Sequence, residues 1–246
     1  MFIAANWKAY VEDASKAKRL VALGKKLALN PKNQIVIIPD AIHLGQLAPG
    51  NRSKLSFGAQ DVSATTGGAQ TGELTAQILS DSGVTYALVG HSERRAQGET
   101  DHVIALKAQH ALAHAITPIL CVGEKDRDQN AGYLAVLRKE ISSIYQSLSQ
   151  KERLQVIIAY EPLWAIGKTA AEAITPQDLS EMVLYIRKVL SDFLPGKAPL
   201  RTKVLYGGSV EAGNAAGLAR ESGIDGFLVG HASVDLNSFA ALVKAI

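Results

Sequence analysis

Apolar residues in this chain gather into short continuous runs, separated by stretches of helical periodicity. Eight such runs stand out, at residues 2–6, 34–38, 55–59, 86–90, 118–122, 156–160, 203–206 and 226–230. They barely alternate between apolar and polar, which predicts strands buried on both faces, as in a parallel sheet covered by helices. Between them, Leu179, Met182, Val183, Ile186, Val189 and Leu190 repeat at the i, i+3, i+4, i+7 spacing of one helical face. Thr175-Pro176-Gln177-Asp178 starts that helix with a hydroxyl cap, a proline at its first position and a carboxylate in its first turn. Leu20, Leu23 and Leu27 mark a similar face, and residues 101–115 and 131–148 read as further helices.

Eight β units alternating with eight α units predict an α/β fold, a closed (β/α)8 barrel in a single domain over residues 1–246. The rival is an open doubly wound sheet. Dinucleotide-binding sheets of that kind carry Gly-x-Gly-x-x-Gly after the first strand, where this chain has Ala5-Asn6-Trp7-Lys8. No linker or low-complexity stretch divides the chain, and the barrel is favoured.

Composition narrows the function classes. At 47% hydrophobic and 20% charged residues the chain is ordinary globular material. The net charge is only +3, with no basic run beyond pairs such as Arg94-Arg95, so a nucleic-acid partner is not indicated. Cys121 is the only cysteine, which rules out an intramolecular disulfide and fits a reducing compartment. The opening MFIAANWKAY lacks a basic leader and a signal-length apolar stretch, and no apolar run approaches the roughly 20 residues of a membrane span. These features together suggest a cytoplasmic enzyme with no membrane partner.

The chemistry-bearing residues cluster just after strands, the end of a barrel where active sites lie. Asn6 and Lys8 follow the first run, Gly90-His91-Ser92-Glu93-Arg94-Arg95 the fourth, Glu161 the sixth, Gly207-Gly208-Ser209 the seventh and Gly230-His231 the eighth. Glu161 becomes a useful general base if a lid excludes water from it, and Pro162 with Ala165-Ile166-Gly167 suits such a lid. The glycine turns after runs seven and eight can aim backbone N–H groups at a phosphate. Each residue alone has a bland reading, Lys8 as a solvated charge and His91 as a packed strand-end histidine. It is their convergence on one rim that points to a site.

Three other signals are set aside. Gly167-Lys168-Thr169 resembles the end of a nucleotide P-loop, but Pro162 stands where the loop's first glycine belongs. His110 and His114 share a helix face, yet Ala111 replaces the glutamate of the zinc-protease motif, so no metal is expected. Cys121 has no neighbouring histidine motif and reads as a packed thiol.

Taken in order, Asn6-Trp7-Lys8, Gly58-Ala59-Gln60-Asp61-Val62, Thr71-Gly72-Glu73, the His91 segment, Cys121-Val122-Gly123-Glu124, AYEPLWAIG at 159–167, Tyr206-Gly207-Gly208-Ser209-Val210 and Gly226-Phe227-Leu228-Val229-Gly230 resemble the triosephosphate isomerase family nearly end to end. The resemblance implies a TIM barrel that interconverts dihydroxyacetone phosphate and D-glyceraldehyde 3-phosphate through an enediolate, with no cofactor. It implies Glu161 as the proton shuttle, neutral His91 as the group polarising the carbonyl, and Lys8 with Asn6 stabilising charge. Glu93 matches the family's carboxylate beside the lysine, acting in proton transfer or orienting Lys8. Backbone N–H groups of Gly167, Ser209, Gly230 and His231 would hold the phosphate. It also implies a homodimer, with the loop from Asp61 to Glu73 entering the partner and Thr71 reaching the neighbourhood of Asn6 and Lys8. Departures are His231 in place of a second glycine, Ala9-Tyr10 in place of Met-Asn, and a segment from Lys168 to Ile174 about two residues longer than usual. The rivals are another sugar-phosphate isomerase on the same barrel and an inactive barrel serving as a binding or scaffold protein.

Overall fold

The computed structural model describes residues 1–128, 130–165, 167 and 173–246. Eight parallel strands run β1 (Phe2–Asn6), β2 (Gln34–Ile38), β3 (Ser56–Ala59), β4 (Tyr86–Val89), β5 (Thr117–Val122), β6 (Ile157–Tyr160), β7 (Val204–Tyr206) and β8 (Gly226–Val229). They pair in chain order, and Phe2 faces both Gln34 of β2 and Gly226 of β8, which closes the ring. The fold is therefore a (β/α)8 TIM barrel, and the open-sheet rival is excluded. All eight expected strands are present, with ends differing by a residue. β4 stops at Val89 because Gly90, at φ +69°, turns the chain out of strand geometry.

Alternation within each strand explains the near-continuous hydrophobic runs. Phe2, Ala4, Val36, Ile38, Leu88, Ile119, Cys121, Ile157, Ala159, Leu205 and Leu228 pack together as one buried cluster inside the barrel. Their neighbours, among them Ile3, Ala5, Ile35, Ile37, Val89, Leu120, Ile158, Val204 and Phe227, belong to a second core beneath the helices. Both faces of most strands are thus apolar, with Ser56 and Gly58 of β3 the exception inside, and burial of both drives closure.

The helices follow their sequence signals with one adjustment. Pro176–Leu190 buries all six residues of the expected face, and the Thr175 side chain accepts from the Asp178 amide as its cap. Asp101–Ala113 and Gly132–Ser147 form where expected. In Ala14–Leu27 the fully buried face is Ala17, Leu20, Val21 and Gly24, whereas Leu23 and Leu27 lie at its margin. Small residues let this helix approach the barrel closely: a Cβ on Gly24 would lie 2.7 Å from Ile37 Cδ1.

Candidate active site

The inward parity of each strand selects the rim. Phe2 and Ala4 face the barrel interior, so Asn6, two residues on, comes next at its open end. Ile157 and Ala159 likewise lead to Glu161, Leu205 to Gly207 and Leu228 to Gly230. All four line one cavity of about 890 Å³, together with Lys8, Tyr10, His91, Gly167, Gly208, Ser209, Glu211 and His231. Of the expected site residues only Glu93 is absent from this lining; it reaches the site through Lys8.

Lys8 is aimed by its backbone. Its φ of +47° places a lysine in the left-handed region, at a cost of about 1–2 kcal/mol. The conformation is held from both ends. The Lys8 amide donates to Asn6 Oδ1 at 3.0 Å, and its carbonyl accepts from Gln60 Nε2 at 2.8 Å. The ammonium donates to Glu93 Oε1 at 2.7 Å. Burial works against the Glu93 charge, but the Lys8 ammonium overrides it and holds the carboxyl below the usual carboxylate range.

His91 is fixed in one tautomer when neutral. It caps the short helix Ser92–Ala96, and its Nδ1 accepts from the Glu93 amide at 3.2 Å. An acceptor at Nδ1 leaves the ring proton on Nε2. That Nε2 lies 3.3 Å from Glu161 Oε1 and 3.5 Å from Asn6 Nδ2. Asn6, His91 and Glu161 are all buried.

Glu161 is anchored by its backbone and loosely held by its side chain. Its amide donates to Val122 O at 2.8 Å, and its own carbonyl packs so tightly on Gly123 that a Cβ there would lie 1.9 Å from the oxygen. The carboxylate, in contrast, receives long contacts at 3.3 Å from the Ser92 amide and from His91. Gly207 leaves room for it, since a Cβ on that glycine would sit 2.8 Å from Glu161 Cγ. Cys121 is buried beneath. Burial, reinforced by the nearby Glu161 charge, pushes its thiol pKa up, so it remains a packed thiol.

The turns after β7 and β8 complete the rim. The Ser209 amide donates to Ala165 O at 3.4 Å, joining the β7 turn to the segment after Glu161. Positive φ occurs, among described non-glycine residues, only at Lys8, Ala115 and Ala131, so the Gly230-His231 turn accepts a histidine without left-handed strain. Gly167 lines the cavity at φ +72°. Ile166 and residues 168–172, which include most of the lengthened segment and the P-loop-like Lys168-Thr169, lie outside the described residues.

A polar cluster behind Glu161 has no assignment from the sequence. Buried Glu124 Oε1 accepts from Tyr160 OH at 2.8 Å, Trp164 Nε1 at 2.8 Å and Arg127 Nε at 3.2 Å. The Arg127 guanidinium lies 4.8 Å from the Trp164 ring and 5.3 Å from that of Tyr133. Burial, with the Glu124 charge beside it, pushes the Tyr160 phenol pKa up and keeps it a donor. Glu124, Tyr160 and Trp164 each stand in a family-like motif, but the sequence does not show that they meet. Outside the site, His114 Nδ1 approaches His110 O at 2.9 Å and His110 Nδ1 approaches Ser63 O at 3.4 Å, local backbone contacts for both.

Comparison with known proteins agrees over the full length. The triosephosphate isomerase family model matches residues 1–246. The chain is similar to the triosephosphate isomerase of Thermus thermophilus, 41% identical over 249 residues covering 99% of this chain and 98% of the relative. It is also similar to those of Delftia acidovorans, 39% identical over 246 residues (99% and 97%), and Coprinopsis cinerea, 37% over 235 residues (95% and 93%).

Proposed function

The chain belongs to the triosephosphate isomerase family, and we propose that its rim interconverts dihydroxyacetone phosphate and D-glyceraldehyde 3-phosphate with Glu161 as the mobile base. The substrate phosphate sits against the backbone N–H groups of Gly167, Ser209, Gly230 and His231, leaving the carbonyl end between His91 and Glu161. The Glu161 carboxylate takes a proton from the carbon next to the carbonyl, and the electron pair left behind forms the enediolate. His91 Nε2–H, with Asn6 and the Lys8 ammonium, hydrogen-bonds the oxygens where negative charge grows. Glu161 then returns the proton to the adjacent carbon while His91 Nε2 gives its proton to one oxygen and takes the hydroxyl proton from the other, so that the carbonyl re-forms one carbon along. Glu93 does two supporting jobs: its carboxylate orients Lys8, and its amide sets the His91 tautomer. No step calls for a cofactor or metal.

The observation that supports this most is the His91–Glu161 pairing. An imidazole whose Nδ1 is an acceptor turns its Nε2 to a carboxylate that meets it and the Ser92 amide at long 3.3 Å contacts. Such a base can swing to a bound carbon acid while the freed Nε2–H turns to the carbonyl oxygen. Nothing in the site favours the inactive-barrel alternative. An assay of the purified chain with glyceraldehyde 3-phosphate, coupled to oxidation of NADH by glycerol-phosphate dehydrogenase, tests the reading; no turnover would overturn it.

The reading extends to assembly and compartment. Ser63 closes the base of the loop from Asp61 to Glu73 by donating to Glu73 Oε2 at 2.6 Å, while Gly67 to Leu74, Thr71 included, lie exposed. Ile42, Ile78 and Tyr10 are exposed as well. A homodimer in which this loop enters the partner would cover such surface. Elution as a monomer in size-exclusion chromatography would argue against it. None of the described helices is long and apolar enough to cross a membrane, and a cytoplasmic glycolytic role fits the family.

A further inference from the structure

Charge is unevenly balanced in the cavity. Among the described lining residues the only lysine or arginine is Lys8, against the carboxylates Glu161 and Glu211. Lys8 is already paired with Glu93 at 2.7 Å. A phosphate dianion entering this cavity meets more negative than positive charge, and backbone N–H groups supply only partial charges in return. Two other lining side chains can take on positive charge, the histidines. His91 is committed, because its Nδ1 accepts from the Glu93 amide and its Nε2 faces Glu161.

His231 is the remaining group. It follows Gly230, where an added Cβ would come within 3.7 Å of Lys8 Cε, so the β8 turn lies beside the lysine. Its ring is exposed on the cavity rim and contacts Tyr10 edge-to-face, with centroids 5.6 Å apart and planes at 81°. Tyr10 is itself 51% exposed and lines the same cavity. These two positions, separate departures from the family pattern along the sequence, touch each other across the rim.

We propose that the His231 side chain is a phosphate-binding group of this site and that Tyr10 is its positioning residue. The inference rests on the reading of the cavity as a triose-phosphate site. Contact with Tyr10 restricts the imidazole to a narrow set of rotamers, so less freedom is lost when it meets the anion. His231 therefore contributes to binding twice, through its backbone N–H and through a ring that adds to the charge of the neighbouring Lys8.

Titration of the full-length protein with inorganic phosphate, followed by ³¹P NMR, reads this affinity whether or not the protein turns over substrate. Circular dichroism confirms folding of the variants, in which only exposed side chains change. Replacing His231 with Gly is expected to weaken phosphate binding about 5-fold, and His231→Gln nearly as much, because glutamine donates a hydrogen bond but carries no charge. Tyr10→Ala should weaken it about 2-fold, and that loss should vanish in the His231→Gly background. Where turnover is measurable, KM should rise with kcat unchanged in all of these variants. Unchanged phosphate affinity in His231→Gly overturns the proposal. Full affinity in His231→Gln overturns the charge assignment, and a Tyr10 effect that persists without His231 overturns the pairing. Absence of turnover by the wild type with the phosphate differences intact would defeat the isomerase reading alone.

Discussion

Substituting Gly207 with alanine perturbs the base without touching its chemistry. A Cβ built on Gly207 lies 2.8 Å from Glu161 Cγ, 3.4 Å from Oε1 and 3.5 Å from Tyr160 O. Ordinary contact begins at 3.4 Å, so Glu161 Cγ must give by 3.4 − 2.8, about 0.6 Å. Misplacing a catalytic group by 1 Å costs on the order of 100-fold, and logarithmic scaling gives roughly 16-fold in kcat, about 1.6 kcal/mol. Gly207 is not among the positive-φ glycines, so alanine suits its backbone, and stability should change by less than about 1 kcal/mol. Steady-state kinetics in the coupled assay measure the first quantity, and thermal unfolding by circular dichroism the second. Gly213→Ala is the control: it lines the same cavity, but its added Cβ meets nothing within 4 Å. A Gly207→Ala protein with kcat within twofold of wild type would refute the idea that Glu161 must keep this seat.

Two further perturbations probe the residues around it. Lys8→Gly removes left-handed strain worth about 1–2 kcal/mol and adds back about 0.5–1 kcal/mol of glycine entropy. Melting temperature should therefore hold within a few degrees while activity drops at least about 100-fold; retained activity would remove Lys8 from the mechanism. Arg127→Met forfeits the stacking on Trp164 and leaves buried Glu124 without its counter-charge, a loss of about 1–2 kcal/mol. It should lower the melting temperature by several degrees and shift Trp164 emission; a variant unchanged in both would show that the Glu124 cluster does not depend on Arg127.

The barrel was legible because a parallel strand buried on both faces leaves an unbroken apolar run, and this chain has eight of them. The gathering of Asn6, Glu161, Gly207 and Gly230 on one rim was legible as well, since each stands just after a strand-like run. What the sequence concealed are contacts between distant segments. Nothing local to Gly207 shows that it makes room for Glu161, 46 residues earlier in the chain (207 − 161). The Ser92 amide on Glu161 and the Glu93 amide on His91 are backbone donors, invisible to any reading of residue types. The first long helix misled for a related reason. Leu23 and Leu27 look like its core face, yet close packing on β2 favours the small Ala17 and Gly24, and the leucines are displaced to the margin. Tyr10 and His231 stood out singly as departures, but only the closed ring, which sets β1 beside β8, brings them together.

The central claim is that Glu161 moves the proton. Its most direct test is the kcat of Glu161→Gln on glyceraldehyde 3-phosphate, measured beside wild type with matched circular dichroism spectra. The amide keeps the size of the side chain and cannot accept a proton from carbon, so kcat should fall by about 100- to 10,000-fold with the fold intact. A folded Glu161→Gln protein that turns over at the wild-type rate would contradict the account.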